Sequence, residues 1–254
     1  MQTLISSKLS AIRDDMRATP LQTVLTPAVK EAVLRLLTCL DASDLTADGG
    51  SETQQSSSKT ERAALAMLGL SVIPTLKKRK NLFSLPMNPG DFFGFTRAVQ
   101  HRNECRFVMP EVDGVYAIHQ PYGSQANPDI LLIDVRARTI VCQFGIEIKS
   151  GGPTWNTHIQ TADRSMLYVA IKDKVHYFFG DHIRDKDSLI LALAWDELQR
   201  DLADALNAEA VRMGKKNLCV PYPKQEFRGL NLDEGRADRH TEIKQWLAWT
   251  GPSL

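Results

Sequence analysis

The chain has 254 residues, enough for one large domain or for a domain with an appendage. Its composition, with 43% hydrophobic residues, 24% charged residues, 15 glycines and 12 prolines, excludes collagen-like and mostly disordered proteins. The formal net charge of +1 excludes a histone-like binder held by bulk positive charge, but it allows a local basic cleft. The chain contains neither a membrane-span-length apolar run nor a signal-peptide core at its start, so we expect a cytoplasmic protein with no membrane partner.

The N-terminal part, residues 1–45, is predicted to be helical. Apolar residues recur there at helical spacing, and Thr26 followed by Pro27 supplies an N-cap and a first-turn proline for a second helix. Residues 46–60 are rich in serine, glycine, aspartate and glutamine, a composition typical of a mobile surface loop. Thr60 then provides an N-cap for a short helix, ERAALAMLGL.

The next part, residues 106–182, is predicted to form the sheet core. Short β-branched or aromatic runs such as GVYAIHQ, DILLIDV and SMLYVAI are separated there by turn residues. An amphipathic helix is predicted over 195–213, with Leu198, Leu202 and Leu206 along one stripe, and a short helix over 240–250. This order predicts a mixed α/β domain with a central β-sheet flanked by helices.

The most informative segment runs from Asn127 to Asn156. If DILLIDV and TIVCQFGIEIK form a hairpin with the polar RAR as its turn, Asp129 lies opposite Glu147. Because side chains alternate along a strand, Glu147 and Lys149 project from the same face as Asp129, and apolar residues line the other face and become buried. Those apolar residues are Ile130, Leu132, Phe144, Ile146 and Ile148. Two carboxylates and one ammonium group are therefore expected at one end of the hairpin.

Two carboxylates beside a backbone carbonyl form the kind of hard-oxygen site that Mg²⁺ prefers. A Mg²⁺ ion bound there polarises a phosphoryl oxygen and acidifies a water, and the neighbouring lysine orients that water and offsets charge in the transition state. This chemistry is phosphodiester hydrolysis. An ordinary ion pair at the mouth of the hairpin explains the same three residue types. The residues alone leave both interpretations open.

Other catalytic chemistries lack a supporting motif. The four cysteines are widely spaced and include no C-x-x-C pair, which argues against a zinc site or a disulfide scaffold. The six histidines form no H-E-x-x-H pattern, and we interpret them as structural or surface groups. Since the chain contains neither a Walker loop nor a dinucleotide fingerprint, we expect a reaction without nucleotide hydrolysis.

The order Pro128-Asp129, followed by Glu147-Ile148-Lys149 on the next strand, resembles the PD-(D/E)xK nuclease motif. The flanking sequences GSQANPD and PTWN are similar to those of type II restriction endonucleases. The resemblance covers roughly residues 110–182. It implies one restriction-endonuclease-like domain over 1–254, in which a central mixed β-sheet is flanked by helices and residues 106–182 form the catalytic sheet core.

The resemblance also implies a role for each motif residue. Asp129 and Glu147 are expected to bind a catalytic Mg²⁺, and the Ile148 carbonyl is expected to complete the metal site. Lys149 is expected to assist the attacking water.

Many members of this family add a carboxylate from a helix that precedes the sheet. Glu61 in ERAALAMLGL is the best placed candidate for this accessory acid, and Glu104 and Glu111 are its rivals. The helix dipole offers another explanation for Glu61, because acidic residues are favoured in the first turn of any helix.

Residues implied to contact the DNA backbone flank the two active strands. They are Ser124 and Gln125 before the first strand and Trp155 and Asn156 after the second. For the serine and the glutamine, local turn hydrogen bonds are an alternative role. The basic run Lys77, Lys78, Arg79 and Lys80 is a further candidate for phosphate contact, although such a run also serves as a solvated face.

The resemblance implies a Mg²⁺-dependent, sequence-specific double-stranded DNA endonuclease of a restriction–modification system. Such a type II enzyme hydrolyses phosphodiester bonds to 5′-phosphate and 3′-hydroxyl ends, and a homodimer matches the symmetry of a palindromic site. A cognate DNA methyltransferase is expected in the same system, without a stable complex. Two alternatives are a repair or junction nuclease without sequence specificity and a catalytically silent DNA-binding module.

Overall fold

The protein combines helices and strands in a mixed order. The computed structural model describes residues 3, 5–11, 25–43, 54–76, 82–86, 104–122, 128–150, 166–171, 174–179, 186–215 and 233–249. The helices are α1 (Pro27–Asp41), α2 (Gln54–Leu68), α3 (Lys186–Arg212) and α4 (Arg236–Ala248), and residues 5–11 are helical as well. The strands are β1 (Ser71–Ile73), β2 (Phe83–Pro86), β3 (Glu104–Phe107), β4 (Gly114–His119), β5 (Ile130–Arg136), β6 (Thr139–Ser150), β7 (Leu167–Ile171) and β8 (Val175–Phe179).

Six strands form one mixed sheet in the order β1-β4-β5-β6-β7-β8. The pairs β1/β4 and β6/β7 are parallel, and the other neighbours are antiparallel. Strands β2 and β3 form a separate antiparallel pair. The predicted mixed α/β class, with a central sheet flanked by helices, is confirmed.

Both faces of the central sheet are covered. Helices α1, α2 and α4 pack on one face and enclose the larger hydrophobic core with side chains from β4 to β8. The β2–β3 pair packs on the other face, against β1, β4 and β5, and encloses a second core. Every residue of β5 from Ile130 to Val135 is buried, as is typical of a strand that is covered on both sides.

The β5–β6 hairpin closes with a two-residue turn at Ala137 and Arg138. Both residues have left-handed φ angles, 48° and 60°, as a type I′ turn requires. One register shift leaves Val141 as the extra residue of a β-bulge. Beyond the bulge, pairing continues to Ile130 opposite Ile146. The predicted hairpin and its register at the open end are confirmed.

Helix α2 begins earlier than its sequence pattern predicts. It starts at Gln54 rather than at Thr60, so the last part of the predicted loop 46–60 is helical, and the rest of that loop lies outside the described residues. Ala64 and Leu68 anchor the helix in the larger core. A helix anchored by packing extends readily through residues of good helix propensity, such as glutamine and lysine.

The sheet also extends beyond the predicted range 106–182. Strand β1 adds a parallel edge strand before that range, and β3 at its start belongs to the separate pair with β2. Strands of three or four residues are too short to display a period of two, so the sequence pattern indicated neither β1 nor β2.

Helix α3 is covered on a different face from the predicted stripe. It begins at Lys186 rather than at residue 195. Leu202 and Leu206 are 61% and 45% exposed, whereas Ala203 and Ala210 are buried. Tertiary packing, rather than the pattern of the helix itself, selects which face is covered. Among the described residues, no helix has the length and apolar character needed to cross a membrane.

His240 connects α4 to the sheet. Its ring stacks on Tyr177 with 3.5 Å between ring centroids, and its Nε2 accepts a hydrogen bond from the Tyr177 backbone N–H at 3.2 Å. Asp41 Oδ1 lies 3.7 Å from its Nδ1. Burial, and then the positive charge of Arg236, lower the pKa of His240 to about 3. Asp41 on α1 opposes this shift, whereas Arg239 on α4 and His176 on β8 add to it.

Thr26 joins α1 to the hairpin, and its replacement should destabilise the fold. Its Oγ1 accepts a hydrogen bond from the Val29 N–H at 3.4 Å and donates one at 2.7 Å to Asp134, a fully buried carboxylate. We expect Thr26→Val to lower the free energy of unfolding in urea by about 2 kcal/mol, because the cap and a donor to a buried charge are both lost. Thr38→Val is the matched control, since that exposed hydroxyl donates, among the contacts described, to the Leu34 carbonyl in the same helix; equal losses would contradict the prediction.

The buried, neutral His240 should make folding stability depend on pH. The unfolded state binds a proton on this side chain below its ordinary pKa of about 6.5, whereas the folded state stays neutral down to its lowered pKa. The wild type should therefore lose about 2 kcal/mol more than His240→Gln between pH 7 and pH 5. Urea denaturation of both proteins at each pH measures the difference. Parallel pH profiles would show that His240 does not titrate as predicted.

Candidate active site

The candidate site lies where β5 begins and β6 continues past it. The pairing of Ile130 with Ile146 places the preceding residue, Asp129, beside Glu147. The Asp129 N–H donates to Glu147 Oε2 at 3.2 Å, and the Ile148 N–H donates to Asp129 Oδ2 at 2.8 Å. These reciprocal bonds join the two carboxylates across the open end of the hairpin, as the sequence predicted.

Lys149 adds the positive charge of the site. Its Nζ forms an ion pair with Glu147 Oε1, and its side chain is only 17% exposed. We call Asp129, Glu147 and Lys149 the hairpin triad. The ion pair that the sequence left as an alternative is therefore present, and it joins two of the residues that the nuclease interpretation also requires.

An aromatic pair lies beside the triad on β7 and β8. Tyr168 is in parallel register with Glu147, so the two side chains project from the same face of the sheet. Tyr168 stacks on Phe178 with 5.5 Å between ring centroids, and both rings are fully buried. Apolar surroundings of this kind disfavour the charged form of a carboxylate.

Burial raises the pKa values of both acids, and the charge of Glu61 adds to both shifts. Burial is the main reason that the pKa of Asp129 rises to about 8, and the charges of Glu147 and Glu61 add to the effect. Burial also raises the pKa of Glu147, against the opposing influence of Lys149. Burial alone would lower the pKa of Lys149, but Glu147 and Asp129 outweigh it and the net shift is upward. Negative charge is therefore unfavourable in these surroundings, which solvate charge poorly, and the acids hold their protons to a higher pH than usual.

Glu61 is the additional acid that the fold brings to the triad. It lies on α2, is 2% exposed, and its charge acts on the pKa of every triad member. Its rivals lie elsewhere on the surface, because Glu104 is paired with Arg106 at 2.7 Å and Glu111 is exposed. Of the three predicted candidates, Glu61 alone lies within electrostatic reach of the triad.

His119 and Gln120 contact the site through Glu61. The sequence pattern predicted only structural or surface roles for the histidines. His119 Nε2 lies 2.6 Å from Glu61 Oε2, and Gln120 Nε2 donates to the same oxygen at 3.1 Å. A polar His-Gln pair at the end of the apolar strand GVYAI was the available signal. Its interpretation requires knowing that β4 lies next to β5.

The triad has the donor chemistry of a Mg²⁺ site. Asp129 and Glu147 supply two carboxylates beside the Ile148 backbone, and their excess negative charge is what a divalent cation would offset. Within the described parts of the chain, no three His, Cys, Asp or Glu side chains are grouped closely enough to form a metal site by themselves. In proteins, Mg²⁺ is often held by one or two carboxylates that are supplemented by waters and substrate phosphate oxygens.

The predicted DNA contacts lie outside the described residues. These are Ser124, Gln125, Trp155, Asn156, Lys77, Lys78, Arg79 and Lys80. Their roles remain predictions from the sequence.

Three comparisons with known proteins found no match for this chain. The chain matches no protein-family model, no curated protein and no solved structure. The site geometry and the motif resemblance are therefore the observations that bear on function.

Proposed function

We propose that this protein is a Mg²⁺-dependent DNA endonuclease that hydrolyses phosphodiester bonds. The observation that carries the proposal is the convergence of Asp129, Glu147 and Lys149 at the open end of the β5–β6 hairpin. Buried Glu61 beside them supports it further. A purely structural ion pair requires neither a second carboxylate nor a third.

Each residue of the triad has a role in this reaction. Asp129 and Glu147 would hold Mg²⁺ together with the Ile148 carbonyl, and Glu61 would serve as an accessory acid. When bound, Mg²⁺ supplies charge neutralisation at the scissile phosphate and acidifies a water. Lys149 orients the attacking water and offsets the negative charge of the transition state. The water loses a proton as its oxygen bonds to phosphorus, and the 3′ oxygen takes up a proton from solvent as its bond to phosphorus breaks. The products are a 5′-phosphate and a 3′-hydroxyl.

The proposed substrate is a short specific sequence in double-stranded DNA, as for a cytoplasmic type II restriction enzyme with a restriction-endonuclease-like fold. The PD-(D/E)xK resemblance and its flanking sequences support this class. Much of the chain lies outside the hairpin and is available for base recognition. A cognate methyltransferase would protect the same sites in host DNA, without forming a stable complex with this protein.

A homodimer belongs to the same proposal, because two identical active sites related by a two-fold axis match the two strands of a palindromic site. Helix α3 offers apolar surface for such an interface. Leu202 and Leu206 on this helix, and Met213 directly after its last residue, are each at least 45% exposed.

The proposal is tested by incubating the purified protein with plasmid and phage DNA, with Mg²⁺ or with EDTA. We expect discrete, reproducible fragments on a gel with Mg²⁺ and intact DNA with EDTA. A smear would instead favour a repair or junction nuclease without sequence specificity. Intact DNA under both conditions, with DNA binding that is independent of Mg²⁺, would favour the catalytically silent module.

Replacing the lysine of the triad should separate binding from chemistry. We expect Lys149→Ala to reduce the cleavage rate at least about 100-fold, because a group that stabilises transition-state charge is lost. DNA affinity, measured in Ca²⁺ by a gel shift, should change little.

Lys174→Ala is the matched control, since Lys174 is 60% exposed and pairs only with surface Asp233 among the contacts described. Thermal denaturation of both variants shows whether they remain folded. Cleavage by folded Lys149→Ala at a rate near that of the control would refute the assigned role.

A further inference from the structure

We propose that His119 and Gln120 are positioning residues that hold the Glu61 carboxylate beside the cation site of the hairpin triad. This inference rests on the proposed function, because it assumes that the triad binds Mg²⁺. It gives a role to two residues at the end of β4 that belong neither to the motif nor to its flanks.

The two side chains converge on one atom of Glu61. His119 Nε2 lies 2.6 Å from Oε2, and Gln120 Nε2 lies 3.1 Å from it. An ionised carboxylate only accepts hydrogen bonds, so the histidine carries its hydrogen on Nε2 and both groups are donors. Two donors on one oxygen restrict the rotation of the carboxylate.

The backbone is shaped to allow this convergence. Consecutive side chains of a strand point to opposite faces, so His119 and Gln120 could not reach one atom from a regular strand. Gln120 adopts a left-handed φ of 45°, a conformation that is unfavourable for a residue other than glycine. The same residue donates its backbone N–H to the Asp129 carbonyl at 2.7 Å. The turn that aims both donors at Glu61 is therefore bonded directly to the first acid of the triad.

Burying a third carboxylate at this site lowers the stability of the fold, which argues for a role of Glu61 beyond folding. Glu61 is 2% exposed and contributes a third negative charge next to two acids that are already crowded. An apolar residue at position 61 would avoid both penalties. Residues that orient metal ligands often change metal affinity 10–100-fold. A gain of that size in Mg²⁺ affinity would explain why a destabilising buried carboxylate is kept at position 61.

The test measures Mg²⁺ binding directly, without DNA. Mg²⁺ alone is titrated into the full-length protein, and its dissociation constant is obtained from the rise in Tm with Mg²⁺ concentration. We expect His119→Leu to weaken Mg²⁺ about tenfold, because leucine donates no hydrogen bond. His119→Gln keeps an N–H donor and should restore affinity to within about threefold of the wild type.

A double-mutant cycle with Glu61→Gln shows whether His119 acts through Glu61. We expect the double variant Glu61→Gln/His119→Leu to bind Mg²⁺ no more weakly than Glu61→Gln alone, since both changes remove the same held carboxylate. Gln120→Ala should show the same lack of additivity with Glu61→Gln. His240→Gln is the matched control, because it changes a buried histidine that contacts Tyr177 and Asp41 instead of Glu61.

The outcomes of these experiments distinguish the positioning role of His119 and Gln120 from the proposed nuclease activity. Additive losses in the cycle, or unchanged affinity in His119→Leu, would overturn the positioning role even if the wild type cleaves DNA. If the losses of Mg²⁺ affinity are not additive, as expected, but the wild type does not cut DNA, the positioning role is supported and the nuclease activity is refuted. A wild type whose Tm does not respond to Mg²⁺ would overturn the inference, and the cleavage gel would then decide the proposed function independently.

Discussion

The reciprocal bonding of Asp129 and Glu147 is the constraint on which the site depends. Each acid interacts with the backbone of the opposite strand, through the N–H of Asp129 in one case and of Ile148 in the other. The side chains therefore continue the antiparallel ladder by one step beyond its last residue pair, Ile130 with Ile146. A shift of one residue would turn the acids toward the helix-covered core. The same register that buries the apolar residues thus sets the separation of the acids.

The crowded acidic groups of the site destabilise the fold. Two buried carboxylates, Glu61 and Glu147, and the half-buried Asp129 share one nearby lysine, and burial raises the pKa of both Asp129 and Glu147. Structural ion pairs gain little from such crowding, whereas a cation site requires it. Stability is supplied elsewhere, by a sheet covered on both faces and by the contacts of α1, α2 and α4 with the larger core. This division between a stable framework and an electrostatically unfavourable site is common in enzymes.

Three separate parts of the chain meet at the site. The hairpin supplies the triad, α2 supplies Glu61, and the end of β4 supplies His119 and Gln120. The left-handed Gln120 connects two of these parts, since its side chain bonds Glu61 and its backbone bonds Asp129. Changes in this turn are therefore expected to affect both acids together.

The amino-acid sequence predicts the hairpin, its register, the face of the triad and the start of α1 at Thr26 and Pro27, and the structure has all four. These features depend on neighbours in the chain, on strand alternation and on cap chemistry, all of which are local. The packing of whole elements, in contrast, sets the start of α2 at Gln54 and adds β1 to the sheet. It also covers Ala203 and Ala210 of α3 and leaves Leu202 and Leu206 exposed. It also selected Glu61 over Glu104 and Glu111 and brought His119 to it. Contacts between residues more than fifty positions apart arise from packing of whole elements, which no local pattern records.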